Sequence, residues 1–201
     1  MMERARVRLA AWAVVFVLSA CASAPVTRFH TLVPAEAAPP AAASASAVSW
    51  ELRPIDIPVQ VSRPQLVVRL ADDTLAVLEF DRWIAPLGEE LNTAIGERLA
   101  TRLGPPATSP AGAADAAHWR IDVEVLRFDS AAKRHARLTA DWTIRSKVAA
   151  LTCRSTIEEA VTAESVTALV QAHQRVASRL ADVMAAALER MARGKVMACA
   201  A

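Results

Sequence analysis

Trp119-Arg120-Ile121-Asp122-Val123-Glu124-Val125 decides the fold. Apolar residues hold the odd positions and charged ones the even positions, and side chains of a strand alternate between faces, so this segment reads as a strand with one dry and one wet side. The same alternation returns twice. Leu138, Ala140, Trp142 and Ile144 alternate with Arg137, Thr139, Asp141 and Thr143, and Leu151, Cys153 and Ile157 alternate with Thr152, Arg154 and Glu158. Three half-buried strands in succession make an antiparallel meander whose apolar face needs a cover.

Two amphipathic helices supply that cover. Downstream, residues 165–193 place Val166, Leu169, Val170, Val176, Leu180, Val183, Met184, Leu188 and Met191 on one face, and Gly194 is the stop signal. Upstream, Pro86 opens a helix on which Leu87, Leu91, Ile95, Leu99 and Leu103 recur every fourth residue, and Gly104-Pro105-Pro106 closes it. His173 and the methionines of the last helix read as core.

Before the first helix, Gln65–Leu70 and Thr74–Phe80 form a strand pair turned by Asp72-Asp73. The β-branched stretch from Val48 to Val61 reads as an edge or irregular strand, because Pro54 and Pro58 cannot donate to a ladder. Val26–Leu32 is a further short β-like segment, and flexible Ala/Pro loops fall near residues 34–47 and 104–117. Strands, helix, strands, helix in that order predict an α+β fold. It is a two-layer sandwich: a largely antiparallel sheet with two helices on one face.

The N-terminus carries an address. Arg4, Arg6 and Arg8 precede the apolar run Leu9–Val17, and Leu18-Ser19-Ala20-Cys21 follows, in the charged, apolar, small-residue order of a secretory signal. Ending that order on cysteine resembles the bacterial lipobox, in which the thiol receives a diacylglyceryl group before cleavage. Residues 1–20 are then a lipoprotein signal peptide, Cys21 is the lipid-attachment residue, and residues 21–201 form a single domain. A membrane span is the competing reading. From Leu9 to Ala24 a helix would rise only about 24 Å, short of the roughly 30 Å hydrocarbon core.

Signal removal changes the charge argument. Three of the 23 Lys and Arg and one of the 21 Asp and Glu lie in the first 20 residues, so residues 21–201 hold 20 of each and are formally neutral. A nucleic-acid-binding surface loses its support, since phosphate neutralisation needs a basic excess.

Removal also leaves two further cysteines, Cys153 and Cys199, as an even pair. They could form a disulfide in an oxidising periplasm. The apolar phase of Cys153 favours the other reading, a free thiol acting as a small hydrophobe.

Chemical motifs are absent from the sequence. The glycines at 88, 96, 104, 112 and 194 lie at least eight residues apart, too far for a phosphate-binding loop or a dinucleotide fingerprint. His30, His118, His135 and His173 stand apart from one another and from cysteines, without metal-ligand spacing. No Gly-x-Ser-x-Gly elbow occurs. Asp72-Asp73, Glu89-Glu90 and Glu158-Glu159 each have a structural reason in a turn, a helix N-terminus and a strand end. No catalytic, cofactor-binding or metal residue is assigned. Lys133, Arg134, His135 and Arg137 form the one local basic cluster, read as a solvated hairpin tip.

The lipobox, Arg28-Phe29-His30-Thr31-Leu32, Arg63-Pro64-Gln65-Leu66-Val67-Val68-Arg69 and Arg82-Trp83-Ile84-Ala85-Pro86-Leu87 together resemble the ABC-type transport auxiliary lipoproteins, the PqiC-like group in particular. Val123–Phe128 and Leu138–Trp142 fit the same pattern, so the resemblance covers nearly all of residues 21–201. Phe29-His30 stands where relatives commonly have an aromatic pair. The resemblance implies a non-enzymatic, palmitate-bearing lipoprotein on the periplasmic face of the outer membrane. Its implied partner is the MCE-domain (mammalian cell entry) periplasmic protein of an ABC lipid-transport system, which it would dock to the outer membrane in support of membrane integrity. Outer-membrane lipid would be reached through the acyl chains, no cofactor is implied, and assembly as a homo-oligomer is allowed. Ala22 after the lipidated cysteine fits outer-membrane sorting. Two alternatives share the anchor: a lipid-binding module and an envelope hydrolase.

Overall fold

The computed structural model describes residues 25–35, 48–107, 118–195 and 199; Cys21 and most of the two Ala/Pro stretches lie outside these residues. The elements in chain order are β1 (Arg28–His30), β2 (Trp50–Leu52), a 3-10 turn (Val59–Val61), β3 (Gln65–Arg69) and β4 (Leu75–Trp83). Helix α1 (Leu87–Leu103), β5 (Trp119–Ala131), β6 (His135–Arg145), β7 (Ala150–Ala160) and helix α2 (Val166–Ala192) complete the chain. The α+β architecture read from the sequence is the one observed.

The long strands follow their alternation. Ile121, Val123, Val125, Leu138, Ala140, Trp142, Ile144 and Cys153 are buried, and β5, β6 and β7 pair antiparallel in sequence order. All five residues of the α1 stripe are buried, from Leu87 to Leu103. The two helices pack together, pinned on their polar sides by Arg98, which donates through Nε and Nη2 to both Asp182 oxygens at 2.9 and 3.0 Å. Ser165 Oγ accepts from Ala168 N and caps α2, and Gly194 closes that helix at φ +70°, a conformation that favours glycine.

The sheet is divided where sequence alone implied one. β2-β5-β6-β7 form four strands and β1-β4-β3 form three, with β2/β5 and β1/β4 parallel. The cause lies in the stretch from Val48 to Val61. β2 pairs with Trp119–Ile121 and then stops, since Pro54 and Pro58 offer no donors. Single bonds continue as far as Val125 N, which donates to Asp56 O, and the chain then leaves β5 in the 3-10 turn. This frees the C-terminal half of β5, against which β3 lies.

A bulge in β5 aligns the two parts. Leu126 is the extra residue between the pairs Val125↔Ala140 and Arg127↔Thr139, and the inward phase passes from odd to even positions. Phe128 and Ser130 then face α2, and Asp129 shares the opposite face with Arg127 and its ladder partner Arg137. Trp83 from β4 meets Phe128 edge-on at 6.1 Å, and Phe128 stacks on His173 of α2 at 4.0 Å. The aromatic chain joins both sheets and α2 into one core.

A candidate docking rim on the small sheet

Three of the sequence motifs meet at one end of the three-stranded sheet. Parallel pairing sets Arg28 beside Asp81, Phe29 beside Arg82 and His30 beside Trp83, while Gln65 lies across Arg82 on the other side. Ile84 N donates to His30 O at 2.9 Å and Trp83 N to Pro64 O at 2.8 Å, so residues 28–30, 63–65 and 82–84 are tied by backbone. Pro86 then starts α1, whose first turn lies close to the preceding loop. A Cβ on Gly88 would stand 3.0 Å from Ile55 O, tighter than side chains ordinarily tolerate.

The inner side of this junction is fully paired. Arg28 donates to both Asp81 oxygens at 2.9 and 2.8 Å, and His30 Nε2 lies 2.8 Å from Oδ1. Burial pushes the Asp81 carboxyl up, but hydrogen bonds from Arg28 and His30 outweigh it and hold the group below the usual carboxylate range. Buried Glu90 accepts from Thr31 Oγ1 at 2.8 Å and Leu32 N at 2.7 Å, fastening the segment after β1 onto α1. Its helix-opening position thus carries a second duty.

The outer side is unpaired. Phe29 is 59% exposed and Ile84 60%. With Arg63, Arg82, Ile57 and Pro86 they line a surface groove of about 430 Å³. Among the described residues neither Arg63 nor Arg82 has a carboxylate partner; Arg82 donates only to Glu79 O. Exposed aromatic and aliphatic side chains beside guanidinium groups without a counter-charge can grip a surface that offers apolar matter and anions together.

The other polar centres are structural. Asp129, 5% exposed, accepts from Arg69 Nε at 2.9 Å and Arg127 Nη2 at 3.2 Å, with His135 Nε2 at 3.2 Å. Burial pushes this carboxyl up, yet the bonds from His135 and Arg69 outweigh it and leave it below its ordinary value. His173 is buried against Phe128 with Nε2 2.8 Å from Ser130 Oγ, and burial pushes its pKa down to about 3. A proton on Nε2 leaves only a lone pair unpartnered at Nδ1 among the described residues.

The histidines are dispersed, each beside its own partner: His30 with Asp81, His118 with Ser49, His135 with Asp129 and His173 with Ser130. The basic tip is absorbed by the fold itself, since Lys133 pairs with Glu164, Arg134 with Asp73 and Arg137 with Glu158. Asp72 closes its turn onto Thr74, and Glu159 takes Arg175 and Arg179 from α2.

Cys153 and Cys199 form a disulfide with Cα atoms 5.5 Å apart, where the strand phase favoured a free thiol. The phase reports correctly that Cys153 is buried. It carries no record of a partner 46 residues away.

Comparison with known proteins places this arrangement. No curated protein matches the chain. A crystal structure of an uncharacterised protein superposes with a TM-score of 0.67 at 12% identity, over 82% of this chain and 99% of that one. A second, from Xanthomonas campestris, gives 0.59 at 15% identity over 86% and 97%. Both likenesses concern the fold alone. Residues 30–185 match the family described as the ABC-type transport auxiliary lipoprotein component, a span that runs from the end of β1 through most of α2 and contains the converging motifs at 63–69 and 82–87. The chain therefore belongs to the ABC-type transport auxiliary lipoprotein family.

Proposed function

We propose that the protein is an outer-membrane lipoprotein subunit of an MCE-type ABC system for lipid transport between membranes. It holds the periplasmic MCE-domain assembly at the outer membrane and carries out no catalysis. The family match over residues 30–185, on a chain that carries Leu18-Ser19-Ala20-Cys21 behind an Arg-rich apolar leader, is the observation that carries this reading. Residues 1–20 are removed and Cys21 bears diacylglycerol and palmitate. Two or more acyl chains anchor stably where one gives marginal binding, because each buried methylene contributes about 0.8 kcal/mol. Ala22 directs the protein outward to the outer membrane. The folded domain then acts by position, as a dock.

Two measurements test the reading. Metabolic labelling with a palmitate analogue should mark the wild type and leave Cys21→Ala unmarked, with the label in the outer-membrane fraction. Equal labelling of both would remove the anchor. Photocrosslinking in cells from exposed positions should trap an MCE-domain or ABC component; recovery of neither from any position would remove the docking role.

A further inference from the structure

The rim of the small sheet has unspent chemistry, and the distance from it to Cys21 limits what it can meet. Arg28, where β1 begins, follows Cys21 by seven Cα–Cα steps. Fully extended these span at most about 25 Å, and the five steps to Val26 about 18 Å. A domain of this size is roughly 40 Å across. An anchor at Cys21 thus keeps the β1 end of the domain within about 25 Å of the bilayer surface, while other parts can stand farther off. The side chains at that end suit such a position: Val26 is 81% exposed, Phe29 and Ile84 are each exposed by more than half, and Phe80 is exposed beside them on β4.

The charges agree. Arg63 and Arg82 line the groove with Phe29 and Ile84, and no carboxylate among the described residues neutralises them. Of the acids on β4, Asp81 is buried and committed to Arg28 and His30, and Glu79 is exposed next to Phe80 and offers Arg82 its backbone oxygen. Guanidinium groups bind phosphates through paired N–H bonds, and aromatic and aliphatic side chains settle at headgroup depth.

We propose that this rim is a membrane-contact surface: Phe29 and Ile84 seat in the headgroup region of the leaflet that holds the acylated Cys21, and Arg63 and Arg82 bind phospholipid phosphates. The inference rests on the anchor reading above and deepens it, since it fixes which face of the domain lies on the membrane. The lipid anchor supplies the local concentration, so a small contact suffices. It also orients the domain: β7 and the β6–β7 turn, which belong to the other sheet, are left for the periplasm.

The test uses the full-length acylated protein, purified and reconstituted in vesicles of phosphatidylethanolamine and phosphatidylglycerol. Benzoylphenylalanine replaces Phe29, Ile84 or Val148 in separate preparations; Val148, on the β6–β7 turn, is 79% exposed and serves as the apolar control. Intact mass first reports acylation. Lipid adducts several-fold more abundant at 29 and 84 than at 148 are expected, and adding Arg63→Glu with Arg82→Glu should lower the yield at 29 several-fold, while Arg154→Glu on the far sheet leaves it unchanged. An acylated chain with equal adduct yields at all three positions overturns the membrane contact and leaves the anchor standing. So does a crosslink in cells that captures protein at 29 and 84 in place of lipid. A chain with no acyl mass overturns the anchor reading, and the contact with it.

Discussion

The wet face of the four-stranded sheet and the rim of the three-stranded one are both exposed and both rich in arginine, but they are finished to different degrees. On the wet face Arg137 meets Glu158, Arg154 holds both Asp141 oxygens, and Arg145 meets Asp122. Between them Thr139–Thr156 and Thr143–Thr152 pair hydroxyl to hydroxyl. These steps of the ladder answer one another across the strands. At the rim, among the described residues, Arg63 and Arg82 have no acid, and Phe29 and Ile84 are more than half exposed. A self-paired face needs nothing beyond water, whereas an unpaired one retains interaction energy for something outside the fold.

The comparison is sharpest where the two sheets join, and the largest expected effect lies there. Asp129 is the buried acceptor for Arg69 of the small sheet and for Arg127 and His135 of the large one. Asp129→Ala leaves Arg69, whose side chain is only partly in water, without its counter-charge. Removing one member of a buried pair costs about 3–5 kcal/mol, and the water available to Arg127 brings the expectation to about 3 kcal/mol. Urea denaturation of both proteins at neutral pH measures it. A loss under about 1 kcal/mol would mean that the sheets are held together by apolar packing alone and that the seam is as idle as the wet face.

His173 gives the next effect and tests whether the seam is dry. Burial holds its pKa near 3, against about 6.5 for an exposed histidine. Between those values the unfolded chain binds a proton that the folded chain does not. Its stabilising share is therefore complete above pH 6.5 and is lost as pH falls, by about 1.4 kcal/mol per unit, down to about pH 3. The buried carboxylates Asp81 and Asp129 also sit below their ordinary values, and their share is lost only as pH falls below the usual carboxylate range. From pH 6.5 to 4.5 the difference between wild type and His173→Gln isolates the imidazole. Unfolding free energies from urea titrations should converge by about 2–3 kcal/mol over that window; parallel profiles would show that water reaches the ring.

What the sequence disclosed follows the range of the interaction. The α1 stripe, the α2 face, the Asp72-Asp73 turn and the three long strands are periodic or local, and each is found near its expected place. The parallel pairs were not legible. β1 meets β4 with partners 53 residues apart and β2 meets β5 with partners 69 apart, and three-residue strands carry no period from which to infer a partner. The Leu126 bulge shows only as a lapse in alternation. The rim was present as text: Phe29, Arg63, Arg82 and Ile84 all stand in the motifs that carry the resemblance to the family. Nothing local says that these motifs converge or that their side chains point outward, since Phe29 reaches Arg82 only through parallel pairing.

The smallest effect on stability makes the most of the contrast. Phe29→Ser with Ile84→Ser at the rim, and Arg154→Ala on the wet face, should each lower the unfolding free energy by about 1 kcal/mol or less. The two apolar side chains are more than half in water in the folded state, so only the smaller part of their surface is lost from burial on replacing them. An exposed ion pair is screened by solvent and holds long side chains in place at an entropic cost. The stability assay thus treats both faces as surface, and only a binding assay can separate them. Flotation of the acylated protein with vesicles will not do so, because the acyl chains dominate it. Lipid adduct yield can, and it should fall for the rim variant alone, read from a crosslinker at residue 80. A fall of equal size for Arg154→Ala would show that unpaired arginines and exposed aromatics do not distinguish a working face from a finished one.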